Sequence, residues 1–196
     1  MDGGLQCLLI MNYAEEKFPE DFNELIKKCE DVIIKIQQRF SDTTCLIVKD
    51  LYHHEKGLRQ KDFIQKLQVS YCSRLGKKSK KDDEVKGLYV FGEINNSGNI
   101  EPIYVGISRT IFRRLYQHTW GKKHNETSFS YLKAKHFSGY EGKREFLPID
   151  LLKEQQEKIK NYRLIVVPEL NDYDLYFMEI YIAGRLKTKW NSFKTH

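Results

Sequence analysis

The sequence predicts an α+β fold, with a small three-stranded, mainly antiparallel sheet flanked by helices and a mostly helical N-terminal extension. Three observations point there. Two tyrosine-bearing runs, GLYVFGEI at 87–94 and IEPIYVGI at 100–107, flank Asn95-Asn96-Ser97-Gly98 and read as a hairpin around a turn with positive φ. A third run, YRLIVVP at 162–168, is apolar and β-branched, ends at Pro168 and reads as a buried strand. Around these runs apolar residues recur at helical spacing.

From the N-terminus, the opening MDGGLQCLLIMNY carries Asp2 and a short apolar run with no small-residue cleavage pattern, so it reads as a strand rather than a signal peptide. In 22–40, Phe22, Leu25, Ile26, Cys29, Val32, Ile33, Ile36 and Phe40 follow near-helical spacing, with Asp21 as the cap. CLIVK at 45–49 reads as a strand, and 61–75 as a helix ended by Gly76. The basic, polar stretch 76–86 reads as a linker. A boundary there separates an extension, 1–86, suited to DNA binding or dimerisation, from a C-terminal domain, 87–196. After the hairpin, Ser108 or Thr110 can cap a helix running to about Thr119. A helix around 130–137, one over 148–160 and an amphipathic one over 172–187 complete the order.

A chain of 196 residues with 40% hydrophobic and 13% aromatic side chains can bury a sizeable core. No apolar stretch approaches the ~18 residues of a membrane span. Cys7, Cys29, Cys45 and Cys72 are too scattered for a zinc site, and reduced thiols in a cytoplasmic protein are expected. Charge is uneven: residues 1–50 carry a net −4, residues 51–150 a net +8 and residues 151–196 a net +2. The positive field thus surrounds the tyrosine runs and GKKSKK at 76–81. It favours a polyanion, most often nucleic acid. For the lysine run alone, a solvated loop is an equal explanation.

On the helix after the hairpin, steps of roughly 100° per residue put Ile111, Phe112, Leu115 and Thr119 on an apolar face. Arg114 and His118, four apart, share a flank of that face, and Arg113 points to solvent. On the last helix Leu175, Met178, Ile182, Ala183 and Leu186 define a buried stripe, and Glu179 falls in its middle. A glutamate there must be neutral, ion-paired or facing a cleft where it binds a metal.

The ordered set Gly87-Leu88-Tyr89, Tyr104-Val105-Gly106, Arg114, His118, Glu179 and Asn191 closely resembles the GIY-YIG endonuclease family over roughly residues 87–192. The arginine lies ten residues after the second tyrosine, the histidine four later, and the asparagine twelve after the glutamate. Each motif is short, and the six together in order carry the likeness. Leu88 and Val105 replace the isoleucines of the family name. Ile107 stands where many members carry a polar or basic residue, and LKTKWNS lacks the proline often found before the asparagine.

The resemblance implies metal-dependent hydrolysis of DNA phosphodiester bonds, duplex or branched, restriction-like or stand-alone. Glu179 would hold Mg2+ (or Mn2+), with water and phosphate oxygens as the other ligands. Arg114 would donate to the phosphate. The base is left open between Tyr89, whose free pKa is near ~10, and His118, with Tyr104 orienting the water. Asn191 completes the catalytic set. The expected nucleic-acid contacts are Lys77, Lys78, Lys80, Lys81, Arg109, Arg113, Lys122 and Lys123. No membrane partner is expected, and a homodimer is the further assembly considered. Two other readings stand beside this one. The first is a catalytically inactive nucleic-acid-binding protein of the same fold. The second is a covalent tyrosine mechanism, which would leave a protein–DNA adduct.

Overall fold

The computed structural model describes residues 18–19, 21–42, 44–53, 58–60, 62–67, 72–73, 83–122 and 126–193. The expected opening strand, Cys7, and Lys77, Lys78, Lys80, Lys81 and Lys123 lie outside the described residues.

Helix α1 spans Phe22–Phe40, and the Asp21 carboxylate accepts the Asn23 N–H at 2.7 Å, as its cap position predicts. Leu25, Cys29, Val32, Ile33, Ile36 and Phe40 are buried, whereas Phe22 and Ile26 stay exposed. Residues 45–49 are not a strand. Ile47 makes one bridge to Arg163, and a 3-10 turn follows at Val48–Leu51. The turn buries Val48 and Leu51, three apart, and Asp50 accepts the Ile47 N–H at 3.2 Å, bending the chain away from the sheet. Two short ladders follow, β1 (Tyr52–His53) with β2 (Leu58–Arg59), and β3 (Cys72–Ser73) with β4 (Asp83–Glu84). Of the helix expected over 61–75, the described part is α2, Phe63–Leu67, and Cys72–Ser73 is a strand because its backbone pairs with β4.

The central sheet is fully antiparallel. Strand β5 (Gly87–Ile94) lies between β6 (Ile100–Ser108) and β7 (Arg163–Pro168). The β5–β6 loop is held by the Asn95 side chain, which accepts the N–H groups of Ser97 and Asn99 at 3.0 Å each. Gly98 takes φ 80° there, a conformation suited to glycine. The remaining helices are α3 (Ile111–Trp120), α4 (Ser128–Ser138), α5 (Ile149–Lys160) and α6 (Asp172–Leu186), with a 3-10 turn at Arg144–Phe146 before α5. Neither Ser108 nor Thr110 caps α3 through its side chain. The buried Glu84 carboxylate instead accepts the N–H groups of Phe112 at 2.9 Å and Arg113 at 3.1 Å, placing negative charge at the helix N-terminus.

Alternation along β5 builds two cores. Tyr89 and Phe91 face Phe112 and Leu115 of α3, Phe129 of α4, Ile159 of α5 and Trp190. Leu88 and Val90 face the opposite way, with Val105, onto α1 and onto Leu175, Met178 and Ile182 of α6. Residues before 86 enter both cores: Val48, Leu51, Tyr52 and Leu67 in the first, α1 in the second. Each large apolar side chain so buried stabilises the fold by roughly 1.5–3 kcal/mol. Among the described residues no helix is long and apolar enough to cross a membrane.

Candidate active site

Register decides where the tyrosines meet. Tyr89 pairs with Gly106 and Phe91 with Tyr104, so all four lie on one face of the sheet. The Tyr89 ring needs the glycine beneath it. A Cβ on Gly106 would stand 2.5 Å from both Cζ and the hydroxyl oxygen of Tyr89 and 2.9 Å from Cε1 of Tyr104. The two tyrosine rings are 6.1 Å apart, and Phe129 stacks on Tyr104 at 4.3 Å.

Helix α3 sends two groups to this face. His118 is wholly buried rather than on a flank, and its Nε2 lies 2.8 Å from the Tyr89 hydroxyl. Its Nδ1 has no hydrogen-bond partner among the described residues. Burial first, and the charge of Arg114 second, hold the imidazole well below its ordinary pKa, so it is neutral at physiological pH. Burial drives Tyr89 well above the usual phenol value, and Arg114 only partly opposes this. Tyr104 is raised for the same leading reason.

Arg114 is half-buried. Its Nη1 donates to Gln117 Oε1 at 3.4 Å and to the Glu126 carbonyl at 3.3 Å, and its Nη2 to Ser128 Oγ at 2.5 Å. A guanidinium has five N–H donors, so donors remain for an incoming anion. Arg113 is exposed, as expected from its place on the helix.

Helix α6 packs on β6 and β5 from the other face and buries Leu175, Met178, Ile182 and Ala183. Glu179 is half-buried and has no hydrogen bond or ion pair with any described residue. Burial pushes its carboxyl up to about 7, with Arg114 pulling the other way, and its charge in turn acts on Tyr104. Among the described residues no three of His, Cys, Asp and Glu gather into a ligand set. One carboxylate completed by water and phosphate oxygens is ordinary for Mg2+, so an unpaired Glu179 fits such an ion.

Asn191 turns both ends of its amide to the backbone of β6. Its Oδ1 accepts the Val105 N–H at 2.8 Å, its Nδ2 donates to the Val105 carbonyl at 2.7 Å, and Thr188 Oγ1 donates to Oδ1 at 2.8 Å. It holds the strand between Tyr104 and Gly106. Arg109 is ion-paired with the buried Asp172, which also pairs with Lys86 at 2.7 Å. Lys122 is exposed.

Two cations escaped the sequence reading. Lys133 is buried in a box of Phe129, Phe137, Tyr162 and Trp190 and donates to the Tyr162 hydroxyl. Burial lowers it to about 8. Arg144 stacks on Tyr131 at 4.7 Å. The aromatic run around Ser130–Phe137 was the available signal for the first, and nothing local marked the second. No family model, curated protein or solved structure matches the chain.

Proposed function

We propose that the chain is a metal-dependent endonuclease of the GIY-YIG type that hydrolyses DNA phosphodiester bonds, with restriction-like action as the narrower reading. One observation carries it. A carboxylate on α6 with no partner among the described residues, Glu179, shares an electrostatic neighbourhood with Arg114 of α3 and Tyr104 of β6, beside the hydrogen-bonded pair Tyr89–His118. A purely structural glutamate would be expected to have a cationic partner.

Glu179 would hold Mg2+ or Mn2+, which supplies charge neutralisation at the phosphate and the leaving oxygen. Arg114, braced by Ser128 and the Glu126 carbonyl, donates its remaining N–H groups to the phosphate as negative charge builds. Tyr89 and His118 act as one basic unit. The Tyr89 oxygen takes the proton of the attacking water while its own proton passes to Nε2 of the neutral His118. Tyr104, on the same face and less buried, orients that water. Asn191 keeps β6 in place and is a positioning residue. Lys122 and Arg113 are exposed and available to phosphates, and Lys77, Lys78, Lys80, Lys81 and Lys123 extend that expectation along the chain.

The burial of Tyr89 (1% exposed) and His118 (0%) favours a second reading, a nucleic-acid-binding protein of the same fold without turnover. Plasmid incubated with the protein and Mg2+ or Mn2+, with and without chelator, separates the two. Nicked or linear product that disappears with chelator supports the nuclease. Retarded but intact plasmid under every metal condition supports the binding protein.

A further inference from the structure

The segment between α4 and α5 carries a cation that the scheme above does not use. Arg144, on the turn Arg144–Phe146, lies 4.7 Å from the centroid of the Tyr131 ring. Tyr131 stands three residues after Ser128 on α4, so the two share a helix face with Cβ atoms about 5–6 Å apart. Ser128 is also the residue on which Arg114 rests its Nη2, at 2.5 Å. The two guanidiniums are therefore anchored one helical turn apart on the same surface. Burial lowers the pKa of Arg144 below the usual arginine range; Tyr131 opposes this and the charge of Arg114 adds to it.

Neither arginine is ion-paired with a described carboxylate. Nε and Nη2 of Arg144 are shut off from solvent with no acceptor among the described residues, while Nη1 is not among the atoms so enclosed. A buried donor without an acceptor is unfavourable, and so are two like charges held side by side. The like-charge contact is relieved by the arrival of an anion, which Nη1, outside the enclosed set, can meet. Successive phosphates of a strand follow each other with a rise of about 3.4 Å, and the residues that anchor the two guanidiniums, Ser128 and Tyr131, stand about one turn, roughly 5.4 Å, apart along α4.

We infer that Arg144 is a second anion-binding residue beside Arg114, taking the strand phosphate next to the one that Arg114 engages. The nature of the ligand rests on the nuclease reading; the charge arrangement does not. Arg144 is thus a positioning residue, fixing the strand's register without touching the scissile bond.

The test compares wild type with Arg144→Met and Arg144→Lys in two independent arms. In the first, inorganic phosphate is exchanged for chloride at constant ionic strength and thermal unfolding is followed. Phosphate should raise the melting temperature of the wild type clearly more than that of Arg144→Met, which keeps only the Arg114 site. An equal rise in both proteins overturns the inference whether or not the chain cuts DNA. In the second arm, duplex cleavage is measured against salt. Losing a charged hydrogen bond should raise KM of Arg144→Met about tenfold or more. It should also reduce the slope of log affinity on log salt by about 0.9, with kcat within about threefold of wild type. A fall in kcat at unchanged KM puts Arg144 on the scissile phosphate and overturns the second-phosphate assignment. Should Arg144→Met fail to fold, Arg144→Lys decides, since it keeps the charge and loses the fork. Weaker phosphate response and affinity at an unchanged salt slope support the inference, and wild-type affinity overturns it. Absence of cleavage by the wild type with a positive first arm refutes the nuclease reading alone.

Discussion

The phenol of Tyr89 crosses the bare Cα of Gly106, the residue paired with it on the neighbouring strand. A methyl group at Gly106 would meet Cζ and the hydroxyl oxygen at 2.5 Å, and the ring is enclosed by His118, Phe91 and Tyr104. Gly106→Ala should therefore cost about 1–3 kcal/mol through overpacking, a fall in melting temperature of roughly 2–12 °C at this chain length. Under the proposed nuclease scheme it should also depress cleavage, because the displaced atom is the hydroxyl assigned to the proton transfer. A substituted protein with wild-type stability and rate would show that the ring has room to move.

Tyr89→Phe keeps the ring and leaves Nε2 of His118 without its partner, so stability should fall by about 1–3 kcal/mol. If the pair relays the proton, kcat should fall roughly 10²–10⁴-fold in Tyr89→Phe and again in His118→Ala. The double substitution should then be no worse than the poorer single one. Multiplying losses in the double would mean that the two residues act separately.

Glu179 makes a prediction about pH. Its folded carboxyl titrates at about 7, above the ~4.3 of an unfolded glutamate. The folded chain thus holds a proton that the unfolded chain releases. That contribution to stability is full below about pH 4.3 and is lost as pH rises through 7. In chelator, Glu179→Gln should match the wild type at pH 4 and melt at a higher temperature at pH 8. It should also lose cleavage at every Mg2+ concentration while still retaining DNA. A variant less stable than wild type at pH 8 would make Glu179 a structural partner instead.

Asn191→Asp tests the amide clamp on Val105. The ionised aspartate still accepts the Val105 N–H but faces the Val105 carbonyl with no hydrogen to donate. Destabilisation at pH 8 should shrink as the side chain is protonated at low pH, and Asn191→Ala should show no such recovery. Cleavage should track the clamp, since Tyr104 and Gly106 flank the residue it holds. Identical pH profiles for the two substitutions would count against the clamp.

How much of this was legible in the sequence depended on the range of the interaction. The apolar stripes of α1 and α6 run over several turns, so periodicity placed both helices and singled out Glu179 as a carboxylate out of keeping with its neighbours. CLIVK was ambiguous because a short apolar run suits a strand or a turn, and Asp50, three residues after Ile47, decided for the turn. Glu84 caps α3 from 28 residues away, and Asp172 engages Arg109 across 63, so local rules offered Ser108 or Thr110 as the cap and showed no partner for Arg109. Arg113 and Arg114 look alike in the chain. Helical phase turned Arg113 to solvent and Arg114 inward, and only the fold supplies Ser128 and Glu126, which brace the latter. Arg144 sits in a stretch with no periodicity, and its neighbour Tyr131 becomes one only through the fold.

The sheet has three strands and hence two outer edges, and irregular chain covers part of each. Along β6, Trp190 donates its N–H to the Ile103 carbonyl and Asn191 engages Val105. Along β7, Ile47 bridges Arg163, Leu164 donates to the Leu46 carbonyl, and the Arg163 side chain caps the Cys45 carbonyl. These groups are the ones through which a strand from another molecule would add itself. With them engaged, two copies of this chain have little edge on which to extend one sheet into the next. Self-association would then have to use helix surfaces, which keeps copies at high local concentration from templating strand-to-strand aggregates.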